Sequence, residues 1–252
     1  MSLPATPLAH KTAVILGGTG GIGLATARLL AQAGAAVAVV ASCDAAKAQG
    51  VAATLDGFGH RGYACRIEDS AELAALAQAV ATHMSGADML VNCAGFTRSI
   101  PHADLEALND ETFDRILKVN TRAAFSVIRT FAPQLRARGD GLVVQISSIA
   151  ATTAIGSNIA YCAAKAGMDV MGMALARALA PEIRVLSVSP GLVDTEFVPG
   201  RDRSWREKMA ATTPLKRLCT PEDVAQAVLA CATMLRSATG SVIQVDGGRR
   251  LG

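Results

Sequence analysis

The chain is poor in the features that metal, disulfide, membrane and nucleic-acid chemistry require. Its six cysteines, Cys43, Cys65, Cys93, Cys162, Cys219 and Cys231, stand far apart with no Cys-x-x-Cys pair, and its four histidines show no ligand spacing. Neither a metal site nor a disulfide framework is indicated. No apolar run approaches the ~18 residues of a membrane span, and the first apolar run, Thr12-Ala13-Val14-Ile15-Leu16, leads into a glycine turn and is not the core of a signal peptide. The net charge of +3 is small and the basic residues are scattered, which leaves no footprint for nucleic acid or for an anionic membrane surface. Internal repeats and low-complexity linkers are also missing. The expectation is a cytoplasmic protein with neither of those partners.

What the chain has in abundance is apolar residues. Hydrophobic residues make up 51% and charged residues only 18%, and the mean hydropathy is positive, which suggests strands buried on both faces and subunit interfaces besides. At 252 residues the chain fits one large α/β domain. Short apolar runs at 12–16, 36–40, 62–67, 89–92, 142–147, 183–189 and 241–245 alternate with segments of helical length. That alternation predicts a seven-stranded parallel sheet, doubly wound, with helices on both faces. Gly34, Gly86, Gly139 and Gly240 punctuate the strand starts. The helical stretches 110–136 and 161–180 carry apolar and small residues around much of their circumference, more than one core-facing stripe requires.

Two places carry chemistry. After the first strand, Gly17-Gly18-Thr19-Gly20-Gly21-Ile22-Gly23 runs into the helical pattern of Leu24 to Ala33. Strand, glycine turn and helix N-terminus together make a cradle for a dinucleotide phosphate, because a side chain there would hold the pyrophosphate away from the amides. Further on, Tyr161 and Lys165 form a Tyr-x-x-x-Lys pair, with Ser147-Ser148 upstream. A four-residue spacing sets both side chains on one helix face, and an ammonium close to a phenol favours the phenolate. Tyr161 is thus a candidate general acid/base. Cys162 adjoins it in sequence but points about 100° away around a helix, so a packing role is expected.

These residues resemble the short-chain dehydrogenase/reductase family over essentially the whole chain. Gly17, Gly21 and Gly23 align with its Thr-Gly-x-x-x-Gly-x-Gly, Asn92-Cys93-Ala94-Gly95 with its Asn-Asn-Ala-Gly turn, and Asn120 with its active-site asparagine. Ser148 lies thirteen residues before Tyr161, the family spacing, while Pro190-Gly191 with Thr195 and Asp246-Gly247-Gly248 match later signatures. The resemblance implies a Rossmann fold as a single dinucleotide-binding and catalytic domain over 1–252, a homotetramer with the two long helices paired between subunits, and reversible reduction of a ketone or aldehyde without metal. It implies that Ser148 polarises the substrate carbonyl, Tyr161 delivers the proton, Lys165 tunes the phenol and holds the nicotinamide ribose, and Asn120 orders a water linking Lys165 to solvent. Ser147 is an alternative functional hydroxyl, and Asn120 an alternative helix-internal hydrogen bonder. The implied cofactor contacts are Gly17, Thr19, Gly20, Gly21, Ile22 and Gly23 at the turn, then Ser42, Arg66, Ile67, Asn92, Ala94 and Gly95. Tyr161, Lys165, Pro190, Gly191, Val193 and Thr195 complete the set. The run from Asn92 to Arg98, with Ala41-Ser42, is locally similar to 3-oxoacyl-carrier-protein reductases.

Three positions depart from the pattern. Leu16 replaces a threonine that braces the turn, Leu186 replaces a strand asparagine, and Arg66 stands where an aspartate accepts from the adenine. Arginine has no acceptor, so Asp69 would have to substitute or Arg66 would have to stack on the ring. At the end of the second strand Ala41-Ser42 offers no carboxylate for ribose hydroxyls. That favours NADP, with NAD the alternative.

The stretch from Val193 to Leu218 holds Pro199-Gly200, Trp205, Pro214 and charges of both signs. It predicts a substrate flap over 194–213. Arg201, Arg203, Arg206 and Lys208 lie within it as candidate contacts for an anionic substrate, but Asp202 and Glu207 interleave, which favours a solvated mixed-charge face. Two rival functions stay open. A sugar-nucleotide epimerase or dehydratase shares the Gly17, Gly20, Gly23 spacing but has a longer C-terminal region. A non-catalytic dinucleotide sensor has no need of Ser148, Tyr161 and Lys165 together.

Overall fold

The computed structural model describes residues 6–195, 197 and 202–251; Pro199, Gly200 and Arg201 of the predicted flap lie outside the described residues. Strands form at all seven apolar runs: β1 (Thr12–Leu16), β2 (Ala36–Ala41), β3 (Arg61–Ala64), β4 (Met89–Asn92), β5 (Gly141–Ile146), β6 (Ile183–Pro190) and β7 (Val242–Val245). The helices between them are α1 (Gly21–Gln32), α2 (Ala45–Ala52), α3 (Ser70–Met84), α4 (Asp110–Leu117), α5 (Ala123–Ala137), α6 (Ala150–Thr153), α7 (Ile159–Leu179), α8 (Arg203–Thr212) and α9 (Pro221–Thr233). A π-helical turn, Lys118–Arg122, joins α4 to α5.

All strand pairs are parallel, in the order β3-β2-β1-β4-β5-β6-β7. The winding direction reverses at β1, where Leu16 pairs with Val40 on one side and Asn92 on the other. Loops leaving the two neighbours diverge there, which opens a crevice at the carboxyl ends of the strands.

Successive strand residues face opposite ways, so every central strand feeds two cores. Ala13 and Ile15 of β1 pack with Leu30 of α1, Ala48 of α2 and Val228 of α9, whereas Val14 and Leu16 pack with Leu73 and Val80 of α3 and Phe131 and Leu135 of α5. Two of the three departures find their reason here. Leu16 and Leu186 are fully buried in opposite apolar layers, where a leucine buries more apolar area than a threonine or asparagine does. Phe131 is fully enclosed, and truncating such a side chain to alanine costs about 3–5 kcal/mol.

Two expectations need correction. The third strand ends at Ala64, not at residue 67. The Asp69 amide donates to the Arg66 carbonyl at 2.9 Å, closing a turn that takes the chain off the sheet edge before α3. In addition, one helix among the described residues, α7, is long and apolar enough to cross a membrane by length and hydropathy, although no run was expected to be. Its Ala, Gly and Met content raises the mean hydropathy, yet it carries Lys165 and Asp169 buried within the fold and packs against β6 and α6.

Candidate active site

The glycine turn sets the cradle. Gly17 takes a φ of +73°, and a Cβ there would meet the Ala94 nitrogen at 3.1 Å. A Cβ on Gly23 would lie 2.1 Å from the Gly17 carbonyl oxygen, so only glycine lets the helix start against the turn. The missing threonine at Leu16 is compensated by backbone, since the Gly17 and Gly18 amides donate to the Val40 carbonyl at 2.9 and 3.1 Å. Gly20 caps α1 without any side-chain hydrogen bond, and a Cβ on it would touch nothing within 4 Å. The first-turn amides of α1 thus face an open cleft with no side-chain acceptor. This fits a pyrophosphate, which accepts from such amides and is favoured by the helix dipole.

At the other end of the cleft, β5 and α7 converge. Ser147 and Ser148 follow β5, and the Ser148 oxygen accepts from the Ala150 amide at 3.1 Å, so its own hydroxyl hydrogen can be donated elsewhere. The start of α7 is fixed by buried Asn158, which accepts from the Tyr161 amide at 2.7 Å while donating to the Arg98 carbonyl at 2.8 Å. That ties α7 to the loop after β4. Gly156 leaves room against Tyr161 and Cys162, whose sulfur a Cβ would meet at 2.9 Å. Ser147, Ser148, Tyr161 and Lys165 all line one cavity of about 530 Å³.

Lys165 is 4% exposed. Its Nζ donates to the Ile146 carbonyl at 2.7 Å and lies 5.7 Å from the Tyr161 ring centroid. Burial pushes its pKa down to about 8, against the opposing pull of the Asp169 carboxylate and the Cys93 sulfur. Asp169 itself is pushed up by burial, with the Ser147 and Ser187 hydroxyls and Lys165 opposing. The Cys93 thiol, pushed up to about 12 by burial, stays neutral. Asp169 was not singled out from the sequence, although its i+4 spacing from Lys165 was a legible signal.

Asn120 lies elsewhere. It is fully buried in the π turn, outside the cavity lining. Its amide nitrogen donates to the Phe96 carbonyl at 2.7 Å and the Ile116 carbonyl at 2.9 Å, and its oxygen accepts from the Phe96 amide at 3.3 Å. The side chain therefore clamps the loop after β4 to the helix. Asn92 likewise turns inward, donating to Gln145 at 3.1 Å, and Ile67 packs in the core beside α3.

Among the expected cofactor contacts, Ile22, Ala94, Gly95, Pro190, Gly191, Val193 and Thr195 line the same cavity as Tyr161 and Lys165. Ser42 and Arg66 line a second, open concavity at the ends of β2 and β3. Arg66 is engaged there: its backbone amide donates to Glu72 Oε2 at 2.7 Å and its Nε to Oε1 at 2.7 Å, with Nη2 also on Oε1. Asp69 caps α3 through one carboxylate oxygen, Oδ1 accepting from the Ala71 and Glu72 amides at 2.8 and 3.1 Å, while Oδ2 lies 3.8 Å from Arg66 Nη2.

The segment after β6 walls the cavity through Thr195, Phe197, Trp205 and Met209. Thr195 reaches the cradle, its Cγ2 lying 3.3 Å from where a Gly21 Cβ would be. In the segment after β6, Arg203 is exposed and pairs with Glu207 at 2.8 Å, and part-exposed Arg206 pairs with Asp194 at 3.0 Å. Arg249, beyond β7, also lines the cavity, and nothing in the sequence pattern marked it.

A parallel sheet that reverses direction above an uncapped glycine turn, with a phenol and a buried ammonium at the same strand edge, defines a nicotinamide-dinucleotide oxidoreductase as a class. The comparisons carry this to the family. Residues 17–250 match the family described as Enoyl-(Acyl carrier protein) reductase. The chain is 36% identical over 242 residues to ketoacyl reductase 2 assigned to the granaticin polyketide synthase of Streptomyces violaceoruber, covering 95% of this chain and 96% of that protein. It is 35% identical over 244 residues to cis-4-hydroxycyclohexanecarboxylate dehydrogenase of Sinomonas cyclohexanicum, with the same coverage. A solved structure from Burkholderia xenovorans, assigned to the short-chain dehydrogenase/reductases, superposes with a TM-score of 0.87 at 32% identity over 96% of this chain and 98% of that one. The chain belongs to the short-chain dehydrogenase/reductase family, oxidoreductases that interconvert carbonyls and alcohols with a nicotinamide dinucleotide.

Proposed function

We propose that this protein is an NADP-linked reductase of a ketone or aldehyde, working reversibly as a cytoplasmic homotetramer built from one domain, with residues 194–213 as the flap over the substrate. The observation that carries the reading is the meeting of Ser148, Tyr161 and a Lys165 held at about pKa 8 in one cavity.

When bound, the nicotinamide supplies or accepts hydride. The Ser148 hydroxyl, already fixed as an acceptor from Ala150, donates to the substrate carbonyl and polarises it. Tyr161 transfers its phenolic proton to the developing alkoxide, and takes it back in the alcohol-to-carbonyl direction. Lys165, desolvated and cationic below about pH 8, stabilises the phenolate that this leaves behind. Asn120 keeps the relay role, ordering a water between Lys165 and solvent. Its side-chain amide is spent on Phe96 and Ile116.

Support for NADP is the absence of a carboxylate at the end of β2 and the presence of Ser42 and Arg66 around one open concavity, where a 2′-phosphate would share Arg66 with Glu72. Support for the tetramer is apolar surface on α5 and α7, with Phe125, Val170 and Met173 at 40%, 62% and 47% exposure. Six free cysteines accord with a reducing compartment. Titrating NADPH and NADH by nicotinamide fluorescence, then screening carbonyls with the better binder, tests the reading. NADPH should bind more tightly and be oxidised; binding of neither would overturn it.

A further inference from the structure

The lining of the active-site cavity is unequal in charge. Among its described residues the charged side chains are Lys165 and Arg249, with no aspartate or glutamate. Lys165 sits deep at the end of β5 and is committed to the Ile146 carbonyl. Arg249 stands in the 3-10 turn after β7 (Arg249–Leu251), against the last turn of α8. Its Nη1 donates to the Met209 carbonyl at 3.1 Å, Thr213 Oγ1 at 3.1 Å and Thr212 Oγ1 at 3.2 Å, and its Nη2 lies 3.2 Å from the Met209 sulfur.

Every one of those partners is neutral. Among the described residues no carboxylate lies within ion-pair distance of Arg249, although the neighbouring Arg250 reaches Asp246 at 3.7 Å and the flap arginines Arg203 and Arg206 each have an acid. The fork is thus oriented by α8 while, among the described residues, its charge meets no carboxylate at the cavity wall. Guanidinium groups held this way bind carboxylates through paired N–H donors, and a thioether is a weak partner for Nη2 that a carboxylate oxygen would improve upon. The cavity that Tyr161 and Arg249 share is also lined by Ile155, Leu192, Phe197, Trp205 and Met209.

We infer that the substrate is an oxo or hydroxy acid: an apolar body bearing the reacting carbonyl or alcohol, with a free carboxylate received by Arg249. This rests on the oxidoreductase reading above. It also replaces the flap arginines as the candidate anion contact with one that faces the cavity.

The test is reduction of 4-oxopentanoate, 6-oxoheptanoate and 4-acetylbenzoate, each against its primary amide, which keeps the shape and removes the charge. The wild type should favour the acids in kcat/KM by roughly ten- to a hundredfold, mainly through KM. Arg249→Gln should collapse that ratio toward one, Arg249→Lys should keep part of it, and Arg203→Gln, a surface control of the same charge change, should leave it as it is. Because acid and amide meet the same α8, a general disturbance of the flap cancels in the ratio. Amides reduced as well as acids by the wild type, or a ratio unmoved by Arg249→Gln, would overturn the inference and leave the oxidoreductase reading standing. Turnover of neither acid nor amide while other carbonyls are reduced would likewise overturn the inference, whereas reduction of no carbonyl at all would count against the reading beneath it.

Discussion

The two ends of the cleft treat charge in opposite ways. At the reactive end Lys165 is almost wholly buried, carries no ion pair within 4 Å among the described residues, and has its pKa pushed down to about 8 by the loss of water. At the concavity beside β2 and β3, the proposed adenine end, exposed Arg66 and part-exposed Glu72 pair with each other. Burial makes a small change of charge at the first end large in effect, because the low dielectric leaves the field of Asp169 and Tyr161 unscreened. Water and counter-ions dilute the same change at the second end. The departures Leu16 and Leu186 belong to neither regime, since both end in apolar core.

The sharpest way to break this comparison is Lys165→Met. Removing the buried ammonium should lower kcat/KM by roughly a hundred- to ten-thousandfold, read by steady-state reduction of the carbonyl found in the screen. A loss of less than tenfold would put the reactive end on the same footing as the adenine end.

Asp169→Asn is expected to act more gently and to show in pH dependence. The Lys165 ammonium is the form that supports the phenolate, so reduction should decline as pH rises through about 8. The groups facing that ammonium are Asp169 on its own helix, Tyr161 one turn earlier and the neutral Cys93 thiol from the loop after β4. Of these the carboxylate raises the pKa most, so its removal should move the basic limb to lower pH. A limb that stays in place or moves upward in the kcat/KM profile would show that Asp169 does not reach Lys165.

The smallest effect is expected at the adenine end. Glu72→Gln removes the competitor for Arg66 and should tighten NADPH a few-fold at low salt, with the gain fading as salt is raised and NADH little affected. Arg66→Ala should do the reverse. Fluorescence titrations at two ionic strengths read both, and a large salt-independent change would mean that this end is as dry as the other.

How much of this was visible in the sequence follows the same division. The strands were legible because burial on both faces produces unbroken apolar runs such as Thr12-Ala13-Val14-Ile15-Leu16. The edge strand β3, with an exposed and half-buried pattern, lacked that signal, and its end was placed too late. Motif spacing brought Ser148, Tyr161 and Lys165 to one cavity because spacing within a helix and position at a strand end translate directly into geometry. Partners set by the tertiary fold were not legible in that way. Neither the Glu72 grip on Arg66 nor the clamp of Asn120 on Phe96 can be read from spacing. Arg249 follows the Asp246-Gly247-Gly248 signature, but only the packing of α8 brings it to the substrate wall.

In the proposed reaction the proton passes through Tyr161, and the reactive end is separable from the surface that would hold the cofactor. Tyr161→Phe removes one hydroxyl and keeps the ring, so NADPH affinity by nicotinamide fluorescence and carbonyl turnover should be measured side by side on that variant. Affinity should stay within about twofold of wild type and turnover should fall by roughly a hundredfold or more; turnover near the wild-type rate would show that the proton does not pass through Tyr161.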